Sequence, residues 1–270
     1  MTVQTLSLVN NENLELPSIS YLLTIGNDPK TIKGEKLGYK TGILYLSPAN
    51  QSGIVNLCQR ASAGCAIACL NTAGRGKMSG VQKARLNNTI WFVRFKPQFW
   101  SRLIKEIKAL INRCKKLGFI TVIRLNGTSD NLWERMHIKG TEFDGLTIFE
   151  AFPDVQFYDY TKYTYSEREN IANNYHLTYS YSEDTTPEIL HENLANGRNV
   201  AVVFNVCKFD NKGKHHIKCT CPLPSKWHGY KVISGDDSDI RFDDPQGVII
   251  GLHAKGDART DTSGFVVNVN

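Results

Sequence analysis

The chain has 270 residues, 41% of them hydrophobic and 21% charged, with a formal net charge of +6. Its lysines and arginines are scattered, which favours a solvated surface over a nucleic-acid-binding one, although it permits attraction to nucleic acid. No apolar run approaches the roughly 20 residues of a membrane helix, and no secretory signal begins the sequence. We therefore expect a cytoplasmic protein without membrane contact.

Seven short apolar runs rich in β-branched and aromatic residues predict seven strands. They cover residues 41–47, 119–125, 154–160, 175–182, 199–206, 230–234 and 247–254. Helical segments are predicted over 79–116 with a division at Pro97, and over 130–137, 146–152 and 186–197. Thr186 and Gly197 supply the expected start and stop of the last helix. Strands that alternate with helices predict a parallel α/β sheet.

Polar side chains follow almost every predicted strand. An open doubly wound sheet gathers its site at one switch point, whereas a barrel draws site residues from the ends of many strands. We therefore predict a complete or partial TIM-like (β/α) barrel. The expected organisation is an N-terminal extension over residues 1–34 and a single barrel domain over residues 35–270.

Three cysteines follow the first predicted strand in a C-x6-C-x3-C pattern among small residues: Cys58, Cys65 and Cys69. In a reducing cytoplasm, seven cysteines favour metal ligands, redox groups or buried side chains over disulfides. Thiolates are the ligands of iron-sulfur clusters and of zinc. The preferred prediction is a [4Fe-4S] cluster that leaves one iron open, and the alternatives are a zinc site and a tight buried turn.

A fourth ligand could come from the segment after the fifth predicted strand, where Cys207, Cys219 and Cys221 lie. Cys221 is the best placed of these, because a following proline often accompanies a cluster ligand. His215 and His216 could complete a Cys/His zinc site, although a polar loop tip is favoured for them.

Several motifs carry a family resemblance: "CQRASAGCAIACL", "VIRLNGTSDNLWE", "FYDYTK", "YSYSE" and "YKVISGDDSDIRFDDPQGVIIGLHAKGDARTDTSGFVV". Together they resemble the phage gene product 88 domain over residues 35–267. The resemblance implies a phage-encoded cytoplasmic protein with a cysteine-rich loop. The predicted architecture is also similar to that of radical S-adenosylmethionine enzymes, which typically carry C-x3-C-x2-C, a spacing from which this chain departs.

Six polar side chains near strand ends are predicted to surround the open iron: Asn126, Lys162, Ser182, Glu183, Asp236 and Lys255. The Asn126 amide can donate and accept hydrogen bonds, and Lys162 would supply positive charge to an anionic substrate or cluster. Ser182 and Glu183 are candidates for hydrogen bonding or proton transfer, and Lys255 for binding a phosphate or carboxylate. Asp130 is predicted to cap the helix over 130–137.

The densest acidic stretch covers residues 236–244 and resembles a calcium or magnesium loop. It also contains Arg241, so a turn held by aspartate-backbone and aspartate-arginine pairs is favoured.

These patterns predict a phage iron-sulfur protein, a redox or Lewis-acid enzyme with an unidentified small-molecule substrate. The alternative is a zinc-stabilised or metal-free module that binds nucleic acid or a host protein.

Overall fold

The computed structural model describes residues 15–26, 29–69, 71, 74–206 and 221–269. Within these ranges the helices are α1 Pro29–Glu35, α2 Ala63–Ile67, α3 Ser79–Arg94, α4 Lys96–Leu117, α5 Ile148–Ala151 and α6 Pro187–Ala195. The strands are β1 Leu23–Ile25, β2 Tyr39–Leu44, β3 Ile120–Arg124, β4 Gln156–Thr161, β5 Tyr175–Ser180, β6 Val200–Asn205, β7 Lys226–Trp227, β8 Tyr230–Ser234, β9 Ile249–His253 and β10 Val266–Asn268. Across the described ranges, no helix combines the length and apolarity needed to cross a membrane.

The strands form one mixed sheet in the order β1-β2-β3-β4-β5-β6-β9-β8-β7, with β10 beside β6. Each pair from β2 through β6, β9 and β8 is parallel, whereas β1 and β7 pair antiparallel with their neighbours. No pairing among the described residues joins β1 to β7, so the sheet is not closed. The predicted parallel α/β sheet is confirmed, and the complete barrel is not formed.

All seven predicted strands overlap an observed strand, from β2 to β6 and at β8 and β9. The unpredicted strands β1, β7 and β10 have only two or three residues each, too few for an alternating pattern to show. The predicted extension over residues 1–34 contains β1 and all but the last residue of α1, and both elements contact β2.

The helical predictions are confirmed in part. The long helical region divides at Phe95, and Pro97 lies in the first turn of α4, where a missing N–H costs nothing. In α6 the Thr186 hydroxyl accepts from the backbone of Ile189, and Gly197 follows the helix at a φ of 79°.

The predicted helix over 130–137 is wrong, since only a single 3-10 turn forms at Trp133–Arg135. The Asn126 side chain accepts from the backbone N–H of Asn131 at 3.0 Å, which gives this segment a local alternative to helical hydrogen bonds. Asp130 therefore caps no helix, and its carboxylate accepts instead from the backbone of Lys162.

The two faces of the strands have different surroundings. On the outer face, Leu44, Ile123 and Phe157 join the main apolar core together with Leu103 and Ile107 of α4. A second outer cluster joins α6 to β6 and β9. Successive side chains of a strand point to opposite faces, so the inner face carries the polar residues that line a cavity.

Candidate functional site

A cavity of about 360 Å³ lies at the carboxyl ends of the parallel strands. Its walls include residues that end or follow β3, β4, β5, β8 and β9: Arg124, Asn126, Asp130, Lys162, Ser180, Asp236, Asp239, His253 and Lys255. The segment between β2 and α3 contributes Cys58, Cys65 and Cys69. Volumes of about 300–1,000 Å³ are typical of small-molecule sites.

The three cavity cysteines are half-buried free thiols. Cys65 lies in α2, and the small side chains of Ala61 and Ala68 line the cavity beside it. In the part of the chain that the structure describes, no three histidine, cysteine or acidic side chains are arranged as the ligand set of one metal ion. The thiols therefore share a cavity without forming a single-ion cage.

Burial controls the protonation of these thiols. It raises the pKa of Cys58 to about 12, and the nearby Asp130 charge acts in the same direction. Burial also raises the pKa of Cys65 and of Cys69. Lys162 opposes this for Cys65, and Arg85 opposes it for Cys69. Two cations thus favour thiolates at a site where burial alone favours neutral thiols.

Glu183 anchors the start of the cysteine helix α2. Its carboxylate accepts from the Ser62 hydroxyl at 2.7 Å and from the Gly64 backbone N–H at 2.6 Å. Ser62 in turn caps α2 by accepting from the backbone of Cys65 at 3.1 Å. Both Glu183 oxygens are therefore engaged in positioning the cysteine segment, and of the two roles predicted from sequence, hydrogen bonding or proton transfer, the contacts correspond to the first.

Gly64→Ala is expected to lower the free energy of unfolding by about 1–3 kcal/mol, because the added methyl group would overlap atoms packed against α2. A Cβ at Gly64 would overlap the Ser263 hydroxyl and lie 2.8 Å from the Phe265 Cβ, which cannot rotate away. Urea unfolding followed by circular dichroism measures the change. Gly80→Ala is the matched control, since a Cβ there meets nothing within 4 Å. Equal stability of the two variants would contradict this packing.

Lys162 places its amino group near Cys65. Its ammonium donates to the Ser180 carbonyl at 2.7 Å, to the Ser180 hydroxyl at 3.0 Å and to the Tyr181 carbonyl at 3.0 Å. Burial lowers the pKa of Lys162, and the Cys65 and Asp130 charges oppose that shift. Among the described residues no carboxylate lies within ion-pair distance of it, and a buried unpaired cation favours a nearby anion.

The loop over residues 126–131 connects Cys58 to Lys162. The Cys58 thiol donates to the Thr128 carbonyl with an Sγ–O distance of 3.7 Å, and Asp130 accepts from the Lys162 backbone N–H at 2.7 Å. Arg168 in turn contacts Asp130 at 3.4 Å. One loop thereby positions both a thiol and the cation.

The rim of the cavity holds a cluster around Asp236. Its carboxylate accepts from Lys255, and His253 contacts it at 2.7 Å through Nδ1. His253 Nε2 lies 2.9 Å from the carbonyl oxygen of Cys221. Asp236 and Lys255, both predicted among the polar side chains around the open iron, are thus paired with each other.

The model of the Gene product 88 family matches residues 21–269. The chain belongs to the Gene product 88 family. This match confirms the resemblance read from the motifs and spans the sheet from β1 to β10, including every described cavity residue. Searches of curated proteins and of solved structures gave no match.

In this Gene product 88 chain, four of the six predicted site residues line the cavity and two do not. Asn126, Lys162, Asp236 and Lys255 line the cavity. The other two do not, since Ser182 lies buried in the turn after β5 and Glu183 holds α2.

Among the ligand candidates, Cys221 is exposed and contributes its carbonyl to the rim. Cys207, Cys219, His215 and His216 lie outside the described residues.

The acidic stretch makes the aspartate contacts predicted for a turn. Asp236 accepts from the backbone of His253, and Asp239 pairs with Arg124 at 3.0 Å. Arg241 lies 3.2 Å from Asp244. The aspartate-backbone and aspartate-arginine contacts favoured from the sequence are therefore present.

The residues at the site that were not predicted from sequence include Arg85, Arg168 and His253. Each is an isolated residue within a helix, a loop or a strand end, so no local spacing marks it. The one available signal was the position of His253, two residues before Lys255 at the end of a predicted strand.

Proposed function

We propose that this protein is an iron-sulfur enzyme whose cluster is held by Cys58, Cys65 and Cys69 in the cavity, with a small molecule as substrate. The observation that carries this proposal is the position of all three thiols in one cavity at the carboxyl ends of parallel strands. Parallel α/β proteins place their active sites at this edge. The proposal includes a partial (β/α) barrel with the cavity as its mouth, and action in the host cytoplasm, in keeping with a phage family.

In this proposal the three thiols bind a cluster rather than a single ion. A cluster binds each thiolate through a different iron, so its ligands need not converge on one point, whereas a structural zinc ion requires a closed tetrahedral cage. No such cage is formed by the described residues. A zinc site would have to draw on residues such as Cys207 or Cys219.

The residues of the chain have separable tasks in this proposal. Lys162 and Arg85 offset the negative charge of the thiolates, because a cation in a buried site stabilises a nearby anion. Glu183 and the loop over 126–131 hold the thiols in place. When bound, a cluster with three thiolate ligands supplies an open iron that serves as a Lewis acid or electron donor.

Replacing Cys58, Cys65 or Cys69 singly by alanine should remove most of the bound iron and sulfide after anaerobic reconstitution, because each supplies one of three protein ligands. The matched control is Cys114→Ala, whose thiol is buried in α4 within the main core. Iron, sulfide and the visible absorption spectrum are compared with those of the unmodified protein.

Circular dichroism of each variant separates loss of ligand from loss of fold. Full iron and sulfide in any of the three folded cavity variants would contradict a role for that cysteine. The same loss in Cys114→Ala would contradict the assignment of the cluster to this cavity.

A further inference from the structure

The cavity continues beyond the thiols along an apolar wall. Val203, Leu252 and Phe265 line it, and Cys65 and Val203 both pack against the cluster that contains Phe265. An apolar surface next to a proposed reaction centre favours the hydrocarbon or aromatic part of a ligand, because its burial removes that surface from water.

The rim above this wall holds two lysines, Lys33 and Lys255, that both contact Asp236. Lys255 pairs with the Asp236 carboxylate, and Lys33 donates to the Asp236 carbonyl oxygen. The same carboxylate also accepts from the backbone of His253 and contacts its ring. The Lys255 side chain is 57% exposed, so its ammonium faces solvent at the mouth of the cavity.

Asp239, another acidic residue of the cavity wall, has partners of its own. Asp239 lies 3.0 Å from Arg124 and accepts from the Tyr158 hydroxyl at 3.1 Å. The Arg124 guanidinium thus offsets the Asp239 charge inside the cavity.

We propose that this half of the cavity binds a small organic anion. Its apolar or aromatic body would lie against Val203, Leu252 and Phe265, and its phosphate or carboxylate group at Lys33 and Lys255. Charge-assisted hydrogen bonds from ammonium groups are the strong contacts available to such an anion. This assignment names a substrate class and rests on the proposed function only in placing the bound molecule beside Cys65.

Isothermal titration calorimetry with three probes tests this division of the cavity. Phenyl phosphate carries both parts, whereas inorganic phosphate and benzyl alcohol carry one part each. We expect phenyl phosphate to bind at least about tenfold more tightly than either single-part probe. The double variant Lys33→Gln/Lys255→Gln should weaken phenyl phosphate binding by about tenfold and leave benzyl alcohol unchanged.

Lys139→Gln is the matched control, since Lys139 is exposed and does not line the cavity. Equal binding of phenyl phosphate and inorganic phosphate would overturn the role of the apolar wall. Unchanged binding in the double variant would overturn the role of the rim, and absence of binding would overturn both. The titrations use protein without added iron, so their outcome is independent of whether a cluster forms.

Discussion

Arg168→Met is expected to lower the free energy of unfolding by about 3–5 kcal/mol, because it leaves two buried carboxylates without their cation. The Arg168 guanidinium is fully buried and pairs with Glu134 at 2.7 Å and Asp130 at 3.4 Å. It also donates to the Thr161 hydroxyl and the Tyr175 hydroxyl. Methionine keeps most of the side-chain volume, so the loss reports charge and hydrogen bonding rather than a cavity.

The same substitution should also affect the cavity, because Asp130 contacts both Arg168 and the backbone of Lys162. Burial raises the pKa of Asp130, and the Lys162 backbone N–H and Arg168 hold it down. Without Arg168 the pKa of Asp130 rises and more of the Asp130 carboxyl is protonated. A neutral carboxyl accepts more weakly from the Lys162 backbone N–H.

Urea unfolding at neutral pH measures this loss, with Arg60→Ala as the control. Arg60 pairs with Glu167 on the surface, and its side chain is 55% exposed, so its removal should cost less than about 1 kcal/mol. Glu134→Gln should cost less in the Arg168→Met background than in the unmodified protein, since the two groups interact. Similar costs for Arg168→Met and Arg60→Ala would show that the Arg168 network is not desolvated.

Asn126→Ala is expected to lower the free energy of unfolding by about 3 kcal/mol, because several buried groups lose their partner together. The buried Asn126 Oδ1 accepts from the Ser129 hydroxyl at 2.9 Å, the Asn131 backbone at 3.0 Å and the Trp133 indole at 2.9 Å. Its Nδ2 donates to the Asn131 carbonyl at 3.0 Å. Asn126, whose amide was predicted from sequence to bind a ligand, thus uses these hydrogen bonds to hold its own loop in place.

The control is Asn87→Ala, which removes one surface hydrogen bond to the Ser18 carbonyl and should cost less than about 1 kcal/mol. Asn126→Ala should also reduce iron retention, since the same loop holds the Cys58 thiol through Thr128. A stable Asn126→Ala variant that retains full iron but loses phenyl phosphate binding would instead support the ligand-binding role.

Much of the sheet was predictable because its signals are local. The strands β2 to β6 were recognised as short runs rich in β-branched and aromatic residues. The start and end of α6 follow from Thr186 and Gly197, whose effects act within one turn. The gathering of strand-end residues such as Lys162 and Asp236 also follows, because parallel strands bring their carboxyl ends to one edge.

The remaining features depend on contacts between distant segments. Closure of the sheet is decided by which strand edges pair, and apolar runs carry no information on this point. The role of Glu183 depends on its meeting Ser62 and Gly64, which lie 121 and 119 residues away in sequence. The pairing of Arg168 with Asp130 and Glu134 likewise crosses 38 and 34 residues.

The most direct test of the iron-sulfur proposal is elemental analysis of the full chain purified without oxygen, together with its visible absorption spectrum. If the three cysteines hold a [4Fe-4S] cluster, the protein contains about four irons and four sulfides per chain and shows a broad visible band that bleaches on reduction. Protein that contains a single zinc ion, or that remains free of iron after anaerobic reconstitution, would contradict the proposal. That result would leave the cysteine segment as a structural zinc site or a tight buried turn.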